Sequence, residues 1–166
     1  MTPAEKAVLA ALLESDGGCL HEISLEPRDF STVAGEILYR TIQEVVGSGK
    51  PSDPLTVSDA ISRLDAADRR AVPIGSVWTI TELRVSEASV TFHAAIVAQD
   101  AARRRFVQVT ANLNQRAQEG GDIEALATEA MEMLPKVTDG LGSSTRPVSE
   151  TIDATLDSLD SPVTYT

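Results

Sequence analysis

Residues that could carry chemistry are sparse in this 166-residue chain, and their spacing assembles no catalytic site. The two histidines, His21 and His93, are far apart in sequence, and neither lies at metal-ligand spacing from the other or from the single cysteine, Cys19. No nucleophile, base and orienting group can be combined from these three residues. The sequence therefore predicts no metal, no cofactor and no turnover, with packing in the core or at an interface as the role of both histidines. A small helical hydrolase is the disfavoured alternative.

The Gly-Ser-Gly segment at 47–49 superficially resembles a phosphate-binding loop. However, the lysine after it is followed by Pro51 instead of serine or threonine, and no strand leads into the segment. Glycines at this position are typical of the end of a helix. We therefore interpret the segment as the stop of a helix over residues 32–46.

Three consecutive arginines, Arg103 to Arg105, are the other feature with chemical potential. On a helix they would point in directions about 100° apart, so they do not form one basic patch. We expect one of them to pair across a helical hairpin with an acidic residue and another to contact a partner, with direct DNA contact as the alternative. The formal net charge of -11 argues against strong nucleic-acid binding by the chain itself, because such binding is driven by clustered Lys and Arg.

Composition predicts the class of protein. Hydrophobic residues make up 42% of the chain but aromatic residues only 4%, which is typical of an aliphatic, alanine-rich helical core. The single cysteine fits a reducing compartment, no apolar run approaches the roughly 20 residues of a membrane span, and the N-terminus lacks the basic start of a signal peptide. These features predict a cytoplasmic protein that does not contact a membrane.

The elements that would position these residues are helices, and the longest lie at residues 90–137. Apolar residues recur there at helical spacing in two runs separated by Gly120-Gly121: Ala95, Ala98, Ala102, Phe106, Val109 and Leu113, then Ile123, Leu126, Ala130, Met133 and Val137. Two such runs predict a long antiparallel helical hairpin whose first arm reaches roughly 45 Å.

The preceding residues cannot cover a hairpin of this length, so part of its apolar seam should pair with a second copy of the chain. The predicted interface consists of eight residues: Phe106, Val109, Leu113, Ile123, Leu126, Ala130, Met133 and Val137. The alternative is a bundle that folds back on itself.

Residues 1–89 read as a globular helical head. Thr2 and Glu5 form a capping box for the first helix, and Asp53 precedes another helix. The segment 75–85 alternates as a strand would, but it lacks a partner strand, so a short helix is predicted.

Beyond the hairpin, residues 138–147 have the composition of a flexible linker, and residues 161–166 form a tail. Between them, residues 148–160 are predicted to form a linker helix that docks on another body. Its apolar stripe consists of Val148, Ile152, Leu156 and Leu159.

Four ordered blocks carry a family resemblance: PAEKAVLAALL, LEPRDF, ILYRTIQEVVGSGKPSDPLTV and FHAAIVAQDAARRR. Together they resemble the N-terminal domain of DnaB-type replicative DNA helicases over most of residues 3–137. The resemblance implies an all-α head plus hairpin, hairpins that pair two by two, and a hexameric collar above a motor ring. It also implies docking of primase and, in some systems, of helicase loaders, with the linker helix packing on a neighbouring motor domain.

The chain also departs from the family pattern. Gly35-Glu36 stands where a His-Arg pair is usual, so local packing should differ, and no Walker A loop of the motor domain is present. The chain is therefore either part of a longer helicase or a free-standing relative. Two alternatives stay open, namely a free-standing regulator or loader that mimics the collar of a host helicase, and the helicase-binding domain of a primase.

Overall fold

In a computed structural model, residues 1–73 and 75–138 are described, and every regular element among them is a helix. The α-helices are α1 (Pro3–Glu14), α2 (Val33–Gly47), α3 (Pro54–Ser62), α4 (Ala66–Ala71), α5 (Ser76–Thr81), α6 (Val90–Gln118) and α7 (Ile123–Val137). Short 3₁₀ turns lie at Gly18–Glu22, Pro27–Asp29 and Glu87–Ser89. The predicted all-α fold, with a helical head and a long hairpin, is confirmed.

Helix α1 is the centre of the head. Its residues 7–13 are all buried, and it packs on α6, α5 and α2. A helix that is apolar on every side is buried on every side. The predicted capping box begins it, because the Thr2 hydroxyl accepts the Glu5 N–H at 3.3 Å and the Glu5 carboxylate accepts the Thr2 N–H at 2.8 Å.

Helix α2 lies against α1, α3 and the turn at Pro27–Asp29. The Thr32 hydroxyl caps its start by accepting the N–H of Gly35 at 3.2 Å, and the helix ends at Gly47, so the prediction of a helix that stops at the Gly-Ser-Gly segment is confirmed. A Cβ at Gly35 would lie 3.2 Å from side-chain atoms of Met1 and Phe30. Glycine at this position therefore lets these two side chains pack directly against the helix.

The segment at 75–85, for which the sequence suggested either a strand or a short helix, contains helix α5. It buries Val77 and Ile80 against α1 and α3, whereas Trp78 is half exposed. The preference for a helix over an unpaired strand is confirmed.

The predicted linker helix, including Val148, Ile152, Leu156 and Leu159, lies outside the described residues. The same holds for the tail and for the predicted linker apart from Thr138, which caps the end of α7.

Candidate interaction surface

Helix α6 has 29 residues, and only its first half belongs to the core of the head. Six of its residues are buried there: Val90, Ala94, Val97, Ala98, Ala101 and Ala102. Ala95, which the sequence pattern placed on the apolar stripe, is exposed. The buried face of α6 is therefore rotated relative to the predicted stripe. It is also broader than one row of residues.

The arginines at 103–105 lie at the point where α6 leaves the head. Arg104 donates to the backbone carbonyl of Asp29, and Arg105 lies 3.1 Å from the Asp29 carboxylate. Arg103 is exposed and its nearest carboxylate is that of Asp100, at 3.6 Å. Among the contacts described, Arg104 and Arg105 reach back to the head and Arg103 pairs along α6, whereas the sequence pattern led us to expect one pair across the hairpin.

Past Arg105, the second half of α6 packs on α7. Helix α7 starts at the N-cap Asp122, whose carboxylate accepts the Glu124 N–H at 3.0 Å. The ion pair that does cross the hairpin joins Arg116 to Glu129. In the part of the chain that is described, each helix of this half of the hairpin has one face that packs on the other helix and one face that is exposed to solvent.

The predicted interface residues divide between these two sides. Leu126 and Val137 are 7% and 5% exposed, so they are already covered within the single chain. Val109, Leu113 and Ala130 are half-buried. The remaining three keep large exposed surfaces: Phe106 49%, Ile123 66% and Met133 38%.

The sequence pattern missed the residues that add most to the exposed side. Met131 is 77% exposed, Val107 58% and Leu134 38%. Four exposed apolar residues of α7 lie in one row, which we call the outer stripe: Ile123, Ala127, Met131 and Leu134. A helical wheel places these four within about 80° of one another. A second apolar row, the inner row, lies beside them and consists of Leu126, Ala130, Met133 and Val137.

The head carries an open groove of about 880 Å³ between the start of α1 and α5. Met1, Pro3, Ile80 and Leu83 contribute apolar walls, and the charged residues Lys6 and Glu82 also line it. A mostly apolar lining of this kind suits a protein surface.

The residues with catalytic potential are not brought together. Cys19 is buried and its thiol lies 3.2 Å from the Ser15 hydroxyl, whereas His21 is exposed in the single chain, so core packing does not apply to it. The half-buried His93 stacks edge-on against Phe92, with ring centroids 5.6 Å apart. Within residues 1–73 and 75–138, no three His, Cys, Asp or Glu side chains group as metal ligands. Across the same ranges, no helix combines the length and apolar character that membrane crossing requires.

Comparison with known proteins identifies the family to which this helical head and hairpin belong. A family described as the DnaB-like helicase N terminal domain matches residues 1–99, more than half of the chain. The chain belongs to this family. The resemblance seen in the sequence blocks, to the DnaB N-terminal domain of replicative helicases, is therefore confirmed.

Two relatives of this DnaB-type domain are replicative DNA helicases named DnaB. The one from Leifsonia xyli subsp. xyli (strain CTCB07) is 28% identical over 137 residues, which are 81% of this chain and 30% of the relative. The one from Mycobacterium leprae (strain TN) is 26% identical over 162 residues, which are 95% of this chain and 27% of the relative. The chain thus spans less than a third of either helicase.

Solved structures show the same fold. The N-terminal domain of DnaB helicase from Mycobacterium tuberculosis matches with a TM-score of 0.69 and 27% identity, covering 79% of this chain and 94% of that one. A DnaB-like replicative helicase, described with its interactions with primase, matches with a TM-score of 0.63 over 97% of this chain and 36% of its own. At 18% identity the second match shows the fold alone.

Proposed function

We propose that this DnaB-type domain is the oligomerisation and primase-docking module of a replicative DNA helicase, and that it self-associates through the hairpin. One observation carries the proposal. The free half of the hairpin exposes Phe106, Val107, Ile123 and Met131, each of them about half exposed or more. Several large exposed apolar side chains on one half of a hairpin indicate an interaction site.

The size of this surface is sufficient for pairing. Burying one such Phe, Ile or Met side chain contributes about 1.5–3 kcal/mol. Association costs about 4–15 kcal/mol in lost translational and rotational freedom. Two copies that each bury the outer stripe together with Phe106 and Val107 therefore gain enough to pair, and in the whole helicase such pairs would build the hexameric collar.

The oligomeric state in solution tests this proposal. Light scattering after size exclusion, over a concentration series, should show a monomer that converts to a dimer or a higher oligomer. A strict monomer at the highest concentration reached would contradict it.

Charge substitutions locate the surface. Met131→Glu should abolish pairing, because a carboxylate buried in an apolar seam loses its hydration without gaining a partner. Thr128→Glu is the matched control, since Thr128 is an exposed residue of the same helix outside the outer stripe. Equal loss of pairing in both variants would mean that net charge, and not the stripe, determines association.

Phe106→Glu tests the other arm, with Gln108→Glu as its control on an exposed polar position of α6. We expect Phe106→Glu to weaken association more than it lowers the thermal unfolding temperature, because Phe106 is 49% exposed in the single chain. A large drop in unfolding temperature, without a selective loss of pairing, would place Phe106 in the core of the single chain.

Primase is the partner that we propose beyond the chain itself, and a helicase loader is a second class of partner. The fold shared with a helicase described with its interactions with primase supports primase docking. Isothermal titration of the chain with the C-terminal domain of primase from the same organism should give saturable heat. Absence of heat from an oligomeric preparation would contradict docking while leaving self-association intact.

Catalysis is not part of the proposal for this chain. The 166 residues contain no Gly-Lys-Ser or Gly-Lys-Thr sequence of a Walker A loop, so we propose that the chain by itself does not hydrolyse ATP. An assay of phosphate release tests this, and the expected rate with the chain is equal to the rate in buffer alone.

From its sequence alone, the segment 148–160 is proposed to dock on a neighbouring motor domain.

A further inference from the structure

We infer that Asp29 is a positioning residue, which with Arg104 and Arg105 fixes the direction in which the hairpin leaves the head. We call these three residues the Asp29 clamp. The inference rests on the proposed self-association, because a fixed direction matters only when a second copy must find the hairpin in a defined place.

The geometry of Asp29 is that of a buried anchor. Its carboxylate, 6% exposed as a side chain, accepts the Glu26 N–H at 2.8 Å and lies 3.1 Å from the Arg105 guanidinium. Its backbone carbonyl accepts a second guanidinium, that of Arg104. One head residue thus holds two consecutive side chains of α6 through two different groups.

The Asp29 clamp lies where the apolar packing of α6 on the head ends. The last buried residue of α6 is Ala102, and Phe106 is already half exposed. Arg104 and Arg105 therefore make polar contacts to the head at the point where its apolar packing on α6 ends. Beyond them, 13 residues of α6 run free of the head for about 20 Å, so a small rotation at the clamp becomes a large displacement at the tip.

Apolar packing leaves the direction of α6 weakly defined. Four of the six buried residues in its first half are alanines. Short side chains allow close approach but offer few ridges to interlock with α1, and interlocking ridges are what fix the crossing angle of two helices. Charge-assisted hydrogen bonds with planar guanidinium groups are directional, so the clamp supplies the orientation that the alanines do not.

Distance measurement by pulsed electron resonance tests the clamp directly. Spin labels at Glu44→Cys on α2 and Ala117→Cys near the tip, both exposed positions, report the angle between head and hairpin once Cys19 is replaced by alanine. The sample is kept dilute enough to be monomeric, so the result does not depend on pairing. We expect one narrow distance distribution in the parent chain and a broadened one in Asp29→Asn.

Matched variants separate the clamp from a general effect of charge. Arg104→Met, which leaves the Asp29 carboxylate in place, should also broaden the distribution, whereas Arg103→Met on the same helical turn should not. If Asp29→Asn does not fold, as judged by circular dichroism, Arg104→Met decides the question. A distribution as narrow as that of the parent in a folded clamp variant, or equal broadening in Arg103→Met, would overturn the inference.

Sedimentation of the same variants links the clamp to association. Because a loosened hairpin must be ordered again on pairing, the clamp variants should associate about threefold or more weakly than the parent. A parent chain that stays monomeric would refute the proposed function while the distance measurement still decides the clamp. Unchanged association in variants with broadened distances would show that the clamp sets orientation without serving pairing, which would overturn that part of the inference.

Discussion

Glu5 is a buried carboxylate that ties three parts of the chain together. It is 1% exposed and accepts the Thr2 N–H, the Ser31 N–H at 2.6 Å and the Ser31 hydroxyl at 2.9 Å. The N-terminal ammonium of Met1 lies 4.0 Å away. A residue that the sequence presents as one half of a capping box therefore also fastens the segment before α2 onto α1.

We expect Glu5→Gln to lower the free energy of unfolding by about 1–3 kcal/mol, because the amide nitrogen cannot accept the hydrogen bonds that a second carboxylate oxygen accepts. Urea denaturation measures the loss. Glu14→Gln, at an exposed position of the same helix, is the control and should change stability by less than about 0.5 kcal/mol. Similar losses in the two variants would argue against the fastening role.

Tyr39 should make stability depend on alkaline pH. Burial, and after it the nearby negative charge of Asp29, raises the pKa of the Tyr39 phenol from 10.0 to about 12. The unfolded chain loses this proton first, so the contribution is complete below pH 10 and is lost as the pH rises through 12. The decrease approaches about 2–3 kcal/mol.

Urea denaturation between pH 9 and pH 12 measures this dependence. In Tyr39→Phe the stability below pH 10 should be lower, because the hydrogen bond to the Leu25 carbonyl is lost, but the decrease above pH 10 should be smaller than in the parent chain. Parallel curves for the two proteins would contradict the assignment to Tyr39.

At the scale of the elements, two glycines with the same backbone conformation differ in their surroundings. Gly17, after α1, has φ +80°, and a Cβ there would lie 2.3 Å from a methyl carbon of Val46. Gly49, after α2, has φ +76° with no atom within 4 Å of that position. The turn after α1 is therefore limited by packing as well as by its backbone, whereas the turn after α2 is limited by its backbone alone.

Gly49→Ala should cost about 1–2 kcal/mol for the left-handed conformation. Gly17→Ala should cost at least about 1 kcal/mol more, because α2 must also move away from the turn. Thermal unfolding of both variants is the measurement. Equal melting temperatures would show that Val46 adapts without cost.

Local stability should fall from the head to the tip of the hairpin. In the described part of the chain, residues 106–137 bury few side chains, whereas most of α1 is buried. Hydrogen exchange of a dilute monomer should therefore be fast in 106–137 and slow in α1 and in the first half of α6. Protection in 106–137 should rise with concentration as copies pair. High protection there in a monomer would mean that the hairpin is stable without a partner.

Much of the whole molecule could be predicted from local sequence signals. The capping box at Thr2, the helix stop at Gly47 and the N-cap at Asp122 depend on residues within one turn of one another, so the sequence determined these boundaries by itself. Helical spacing likewise determined that residues 90–137 form two long arms. The ordered blocks were specific enough to indicate the family.

The packing of α6 on α7 determines which apolar row of α7 faces solvent. Leu126 and Val137 lie beside the outer stripe on α7, and a single sequence shows two adjacent rows without showing which one α6 covers. The Asp29 clamp was equally out of reach, because Arg105 and Asp29 are 76 residues apart and no local pattern links them. Periodicity fixes the angle of a residue around its own helix, whereas the rotation of one helix against another depends on contacts between distant segments.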